Sequence, residues 1–119
     1  METTQNQVQT QGRAVLLNAL PLNALPRSPL RLRVQPLRIE EIGWYVQGRQ
    51  VVHFIRHQST IDVLRTFGIP VANAETGLYR YQQGDRLIVI TLRTPIRGSE
   101  QANVAPADLE AWLVEIEEH

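Results

Sequence analysis

The stretch VVHFIRHQSTIDVLRTFG, residues 51–68, decides how this chain folds. It begins with a short apolar run that is typical of a buried strand, and its second half spaces three apolar side chains along one face of a helix. Ser59 and Thr60 are good residues for the start of that helix, and Gly68 is a good residue for its end. The stretch therefore predicts a short strand, a polar turn and an amphipathic helix in succession.

The polar turn, residues 56–60, has two interpretations. In the first, Ser59 or Thr60 caps the helix and His57 is an ordinary loop residue. In the second, the free N–H groups of the first helical turn bind a phosphate, and the two hydroxyls add further donors. His57 then lies at the mouth of an anion site, where histidine is suited to proton transfer near neutral pH. The sequence leaves both interpretations open.

The segments around this unit predict a mixed α/β sheet. Strands are predicted over residues 13–20, 31–36 and 50–55 and near the carboxyl terminus, and helical turns over residues 22–25, 39–48 and 106–110. A β-hairpin is predicted from Gly77–Gln82 and Arg86–Arg93, joined by a Gln-Gly-Asp turn. About five strands flanked by short helices indicate one compact domain, residues 13–119, after a disordered amino-terminal tail, residues 1–12.

The composition excludes several classes of protein. The 119 residues include no cysteine, so disulfides and thiolate metal sites are excluded, and the default expectation is a cytoplasmic protein. No apolar run is long enough to span a membrane. His53 and His57 are four residues apart without carboxylate support, so we expect neither a metal nor a cofactor. All twelve basic residues are arginine, and arginine is well suited to phosphate oxygens.

Further candidate residues lie outside the polar turn. Asn18 follows the first predicted strand, where strand ends often deliver polar groups to a pocket, although it also suits a plain turn. The loop after the predicted hairpin carries Arg97, suited to a phosphate, and Glu100, suited to a ribose hydroxyl or to orienting a base. Arg93 is a second basic candidate nearby, and the alternative for all three is a solvated loop.

Three stretches together resemble one known family. They are VLLNALPLNALP (15–26), VVHFIRHQSTIDVLRTFG (51–68) and GDRLIVITLRTPIRGSE (84–100). Their order and spacing resemble the viral anti-CRISPR ring nucleases of type III systems, a family also found on plasmids and in cellular genomes. The resemblance covers roughly residues 13–117, and the His-x-Ser-Thr element before the helix is its most specific part.

The resemblance implies a homodimer that binds cyclic tetra-adenylate across its two-fold axis and cleaves it without metal. In that family a ribose 2′-hydroxyl attacks the neighbouring phosphorus, and a histidine protonates the departing 5′-oxygen. Carried onto this chain, His57 is the general acid. Asn18, Ser59 and Thr60 line the ligand site, with Arg56 as an added basic group beside them. From the resemblance we expect that neither a membrane nor a long nucleic acid is a partner.

The loop that follows the predicted hairpin, which we call the late loop, supplies the other catalytic residues that the resemblance implies. Arg97 and Glu100 match the family's arginine and glutamate three residues apart. The alignment of Arg97 requires an inserted residue, so Arg93 is the alternative basic residue that binds the ligand.

The chain departs from the family pattern at four positions. Arg56 replaces a usual glycine, Pro21 a small hydroxyl residue and Thr91 a glutamine, while Thr76 stands near a usual arginine. These departures leave two other functions open. One is a module that binds cyclic oligonucleotides as a sensor or sponge without cutting them. The other is a nucleic-acid-binding regulator that uses the arginine-rich face. A viral anti-CRISPR role and a cellular regulatory role are equally compatible with the sequence.

Overall fold

A mixed five-stranded sheet forms the centre of the molecule in a computed structural model that describes residues 12–93 and 104–117. The strands are β1 (Arg13–Leu17), β2 (Arg31–Leu37), β3 (Gln50–His53), β4 (Arg86–Leu92) and β5 (Leu109–Glu117). Their order across the sheet is β2-β5-β4-β1-β3. Strand β1 is parallel to β3 and β4, whereas β5 is antiparallel to β4 and β2. The predicted fold class of mixed sheet and short helices is confirmed.

The helices are short and lie close to the predicted positions. They are α1 (Ile42–Val46), α2 (Gln58–Thr66) and three 3₁₀ turns at Leu22–Ala24, Ile39–Glu41 and Pro106–Asp108. The first 3₁₀ turn falls in the proline-rich loop where a single helical turn is predicted, and Gly68, with φ of 80°, follows the end of α2 as expected. None of the helices described is long and apolar enough to cross a membrane.

The predicted hairpin is wrong, because only its second half, β4, is a strand. Strand β4 has β1 on one side and β5 on the other, so it offers no free edge to residues 77–82. That segment instead packs irregularly against the sheet: Tyr79 is buried, and the Tyr81 N–H donates to the Ala24 carbonyl at 2.9 Å. Alternating residues indicated a strand, but the tertiary pairing of β4 prevented it.

Both faces of the sheet are buried at the inner strands β1 and β4, whereas most of the edge strand β2 is exposed. Because successive strand residues point to opposite faces, Ala14 and Leu16 of β1 join the cluster under the helices, while Val15 and Leu17 join the cluster on the other face. The second cluster also contains Ala24 from the first 3₁₀ turn and Tyr79 from the irregular segment, which cover this face in place of longer helices. Loop residues therefore cover one face of the sheet.

A buried ionic network anchors the segment that replaces the hairpin. The Asp85 carboxylate accepts hydrogen bonds from the Arg13 guanidinium at 2.8 and 3.0 Å, the Tyr79 hydroxyl at 2.6 Å and the Gln82 N–H at 3.0 Å. Burial, and then the hydrogen bond to Asp85, raise the pKa of Tyr79 far above its usual range, so its hydroxyl stays a donor. The hydrogen bond to Asp85 also raises the pKa of Arg13. Asp85 thus fixes residues 79–85 against the start of β1.

Candidate functional site

The carboxyl ends of the three parallel strands define one edge of the sheet. The chain passes from β1 to β3 on one side and then returns to β4 on the other side of β1. Crevices at such switch points are where ligands bind in α/β sheets. Asn18 directly follows β1, His57 lies four residues beyond β3, and Arg93 directly follows β4. The fold therefore brings three of the predicted site residues to the same edge.

A depression of about 280 Å³ lies at this edge, and we call it the carboxyl-edge depression. Its lining is largely apolar, with one amide and one guanidinium: Leu17, Asn18, Ala19, Pro21, Phe54, Arg56, Gly77, Leu78 and Tyr79. An apolar pocket with a few polar groups is typical of small-molecule sites, whose volumes start at roughly 300 Å³. Asn18 and Arg56, both predicted from the sequence, therefore share one concave site.

Both polar side chains of the depression are held by backbone carbonyls. The Asn18 side-chain nitrogen donates to the Ile90 carbonyl of β4 at 3.3 Å. This bond fixes the orientation of the amide. The Arg56 guanidinium donates to the Glu75 carbonyl at 3.3 Å and stays exposed. The depression therefore presents a positive charge to solvent.

His57, not Ser59 or Thr60, caps helix α2. The His57 backbone is extended, and its Nδ1 accepts the Thr60 N–H at 3.4 Å and lies 3.3 Å from the Thr60 hydroxyl. An imidazole nitrogen can accept an N–H at a helix start as a serine oxygen does, which the ranking of capping residues by type did not anticipate. Because Nδ1 is the acceptor, the neutral ring carries its proton on Nε2.

The two hydroxyl residues after His57 hold the site together. Thr60 is 3% exposed, and its hydroxyl faces His57 Nδ1. The Ser59 hydroxyl oxygen accepts the Val104 N–H at 2.7 Å and so links the first turn of α2 to the chain just before β5. Both residues therefore have structural partners besides the ligand contacts expected from the sequence.

Ser59→Ala is expected to lower the free energy of unfolding by about 1–3 kcal/mol, because it leaves the part-buried Val104 N–H without its acceptor. Urea unfolding of the purified variant measures the change. Thr66→Ala is the matched control, since its exposed hydroxyl donates only to the Asp62 carbonyl within the same helix. Equal losses of unfolding free energy in the two variants would contradict the role of Ser59 as the acceptor of the Val104 N–H.

Arg93 contacts the chain around the start of β5. Its guanidinium donates to the Ala107 carbonyl at 3.2 Å and pairs with the Glu110 carboxylate at 3.1 Å. Ala107 lies in the last 3₁₀ turn and Glu110 at the start of β5, and Arg93 is not among the residues that line the carboxyl-edge depression. The other candidates of the late loop, Arg97 and Glu100, lie outside the described residues.

Sequence reasoning missed part of the lining. Phe54 and Tyr79 form one wall of the carboxyl-edge depression, with ring centroids 5.6 Å apart in an edge-to-face arrangement. Phe54 was assigned to the predicted strand over residues 50–55, which in fact ends at His53, and Tyr79 was assigned to a hairpin. Pro21, one of the family departures, also lines the depression. Thr91, another departure, lies within β4.

His53 has a structural role. It is 1% exposed, its Nε2 lies 2.6 Å from the Ala72 carbonyl, and its Nδ1 accepts the Ile55 N–H at 3.2 Å. Both ring nitrogens are therefore occupied, which leaves neither for a metal ion. Among the residues that the structure describes, no group of three or more potential metal ligands is present. His53 instead ties the loop that carries His57 to residues 72–75.

The fold matches that of a viral protein. B116 of Sulfolobus turreted icosahedral virus aligns with 87% of this chain and 98% of its own, with a TM-score of 0.65 and 17% sequence identity. No protein-family model matches the sequence, and no curated protein matches it. At this identity the likeness establishes a shared fold.

Proposed function

We propose that this protein is a metal-independent ring nuclease that cleaves cyclic tetra-adenylate and so switches off a type III CRISPR response. The carrying observation is the placement of His57 at the start of α2, on the sheet edge where Asn18 and Arg56 line a depression. The resemblance of residues 51–68 to ring nucleases supports this function, and the fold shared with a viral protein is compatible with it.

The proposed reaction is an internal transesterification. A ribose 2′-oxygen attacks the adjacent phosphorus, and the bond from phosphorus to the 5′-oxygen breaks. The imidazolium of His57 gives its Nε2 proton to that oxygen and becomes the neutral ring. The proton of the 2′-hydroxyl passes to solvent. Two such cuts convert the ring into two linear di-adenylates, each with a 2′,3′-cyclic phosphate and a 5′-hydroxyl. Because the nucleophile belongs to the substrate, positioning supplies much of the catalysis and no metal-bound water is needed.

The local contacts suit His57 to this role. The Thr60 hydroxyl lies 3.3 Å from Nδ1 and can accept the Nδ1–H of the protonated ring, so the imidazolium form of His57 can give up the proton on Nε2. The Gln58 and Ser59 N–H groups at the start of α2 and the exposed Arg56 guanidinium are the donors proposed to stabilise charge on a transferring phosphoryl group. Arg97 and Glu100 complete the proposed catalytic set. Arg93 could bind the ligand only if its ion pair with Glu110 were broken.

A second copy of the chain is the proposed cover of the site. Leu78, which lines the carboxyl-edge depression, is 78% exposed, and Leu22, beside the lining residue Pro21, is 79% exposed. Large apolar side chains exposed together at a pocket rim are typical of an interface. A two-fold dimer also matches the symmetry of a four-nucleotide ring.

Leu78→Glu is therefore expected to convert the dimer to monomer and to lower cleavage at a given protein concentration, because it places a charge in the apolar contact. Sedimentation velocity measures the oligomeric state. Trp44→Glu is the control, since Trp44 is 68% exposed but lies on α1, outside the depression. A Leu78→Glu variant that sediments as the wild type does would refute this interface.

The test of the function is a cleavage assay with labelled cyclic tetra-adenylate, with and without EDTA. Conversion to linear di-adenylate in EDTA is the expected result. Intact ligand that co-elutes with the protein would instead indicate a sensor or sponge. Binding of long duplexes with a steep salt dependence, without affinity for the ring, would indicate a nucleic-acid-binding regulator.

A further inference from the structure

A cluster of arginines lies at the opposite edge of the sheet, beside the amino ends of the parallel strands. Arg13 opens β1, Arg86 opens β4, and Arg49 immediately precedes β3. Arg13 is paired with Asp85, and Arg86 lies 3.3 Å from the Glu115 carboxylate. This cluster plays no part in the proposed cleavage.

Arg49 is the member of the cluster without a counterion. Its Nη1 donates to the Gly84 carbonyl at 2.9 Å and to the Arg13 carbonyl at 3.5 Å, and no carboxylate in the described chain pairs with it. Burial, and then the nearby charge of Arg86, lower the pKa of Arg49, and the nearby carboxylates of Glu115 and Asp85 offset part of this effect. A guanidinium nevertheless stays charged in proteins, so this half-buried cation is able to bind an anion from solvent.

Arg86 is held in a fixed position next to this charge. Its Nη1 donates to the Tyr45 carbonyl at 3.3 Å, and its guanidinium lies 5.6 Å from the centre of the Tyr45 ring. The Arg86 Nε–H is buried without an acceptor among the described residues. Arg86 therefore provides a second cation in a fixed position, although its ion pair with Glu115 partly neutralises its charge.

The two cations share a second depression of about 430 Å³, the amino-edge depression. Its lining is mainly polar: Arg49, Tyr81, Gln83, Gly84, Asp85, Arg86, Glu115 and Ile116. The two carboxylates in this lining pair with Arg13 and Arg86, which leaves Arg49 without an ion pair of its own among the described residues. The volume falls within the roughly 300–1,000 Å³ of small-molecule sites.

We propose that the amino-edge depression binds a phosphate-bearing anion, with Arg49 as its principal contact and Arg86 as the second. Guanidinium groups present forks of donors that match several phosphate oxygens at once. Free phosphate and the phosphate of a nucleotide share this chemistry. The anion would neutralise Arg49 and relieve its repulsion by Arg86.

The test follows the arginine Nε–H signals of the ¹⁵N-labelled protein by NMR while inorganic phosphate, AMP or adenosine is added. Phosphate and AMP are expected to shift the signals of Arg49 and Arg86, and adenosine is expected to leave them unchanged. Tighter binding of AMP than of phosphate would identify a nucleotide as the source, and equal binding would identify free phosphate. Unchanged signals with both anions, or equal shifts with chloride, would overturn the proposal.

Two variants sharpen the test. Arg49→Gln is expected to weaken phosphate binding about tenfold or more, since a hydrogen bond to a charged group contributes about 1.5–3 kcal/mol. Glu115→Gln removes a negative charge from the depression and is expected to tighten binding, which an effect of misfolding would not do. Arg38→Gln, at the opposite edge, is the control and should bind as the wild type does. Unchanged affinity in both Arg49→Gln and Glu115→Gln would refute the site.

Discussion

His57→Ala is expected to slow cleavage of cyclic tetra-adenylate by about 10²–10⁴-fold, the usual contribution of a positioned acid or base. The reason is that the departing 5′-oxygen loses its proton donor, while binding of the ring depends mainly on other groups. The rate constant under saturating ligand should therefore fall far more than the affinity. Single-turnover assays and equilibrium binding of the uncut ring separate the two quantities.

His57→Asn is the matched control for the capping role of this residue. The asparagine oxygen can accept the Thr60 N–H as an N-cap, but an amide cannot supply a proton. His57→Asn should therefore remain near wild-type stability and lose activity, whereas His57→Ala should lose activity and also about 0.5–2 kcal/mol of stability. If His57→Asn cleaved at the wild-type rate, the general-acid assignment would be wrong and His57 would be only a helix cap.

The sequence predicted what depends on local patterns. The helical spacing after Thr60 and the terminating Gly68 located α2 to within two residues, because capping and amphipathicity act within a few residues. The predicted capping residue was wrong. Residue type favours serine or threonine as the N-cap, but in the structure His57 occupies the N-cap position. Asn18 and Arg56 were predicted at a ligand site, and the fold places both in one depression.

The features of the fold that the sequence did not predict depend on contacts between residues far apart in the chain. Residues 77–82 alternate as a strand does, yet β1 and β5 occupy both edges of β4. Nothing local indicates that Arg13 pairs with Asp85, 72 positions later in the chain. Likewise, the accessible partner of Arg93 is Glu110, on a strand that the chain reaches only after the late loop. The order of the strands in the sheet determines these pairings. No single segment of the sequence indicates that order.

Asp85 connects this missed network to the candidate site. Its carboxylate fixes the Tyr79 hydroxyl, and Tyr79 lines the carboxyl-edge depression together with Leu78. The ionic network and the depression are therefore consecutive parts of the segment that replaced the predicted hairpin. Loosening the anchor is expected to disturb the wall of the site before it disturbs the helices on the other face of the sheet.

Asp85→Ala is accordingly expected to lower the free energy of unfolding by about 3–5 kcal/mol, the cost of removing one partner from a buried ion pair. The Asp85 side chain is 1% exposed, and its loss leaves the Arg13 guanidinium and the Tyr79 hydroxyl without their acceptor. Urea unfolding measures the change. Glu117→Ala is the control, because its pair with Arg33 spans 3.7 Å between side chains that are 51% and 67% exposed. That variant should stay within about 0.5 kcal/mol of wild type.

A double-mutant cycle with Tyr79→Phe tests whether the network acts as a unit. The hydroxyl bond exists only while the carboxylate is present, so Tyr79→Phe should cost less in the Asp85→Ala background than in the wild type. The variants that remain folded should also bind the cyclic ligand more weakly, because residues 77–79 lose their anchor. Additive losses with unchanged ligand affinity would mean that Asp85 stabilises the core alone and that the wall of the site is held by its apolar packing.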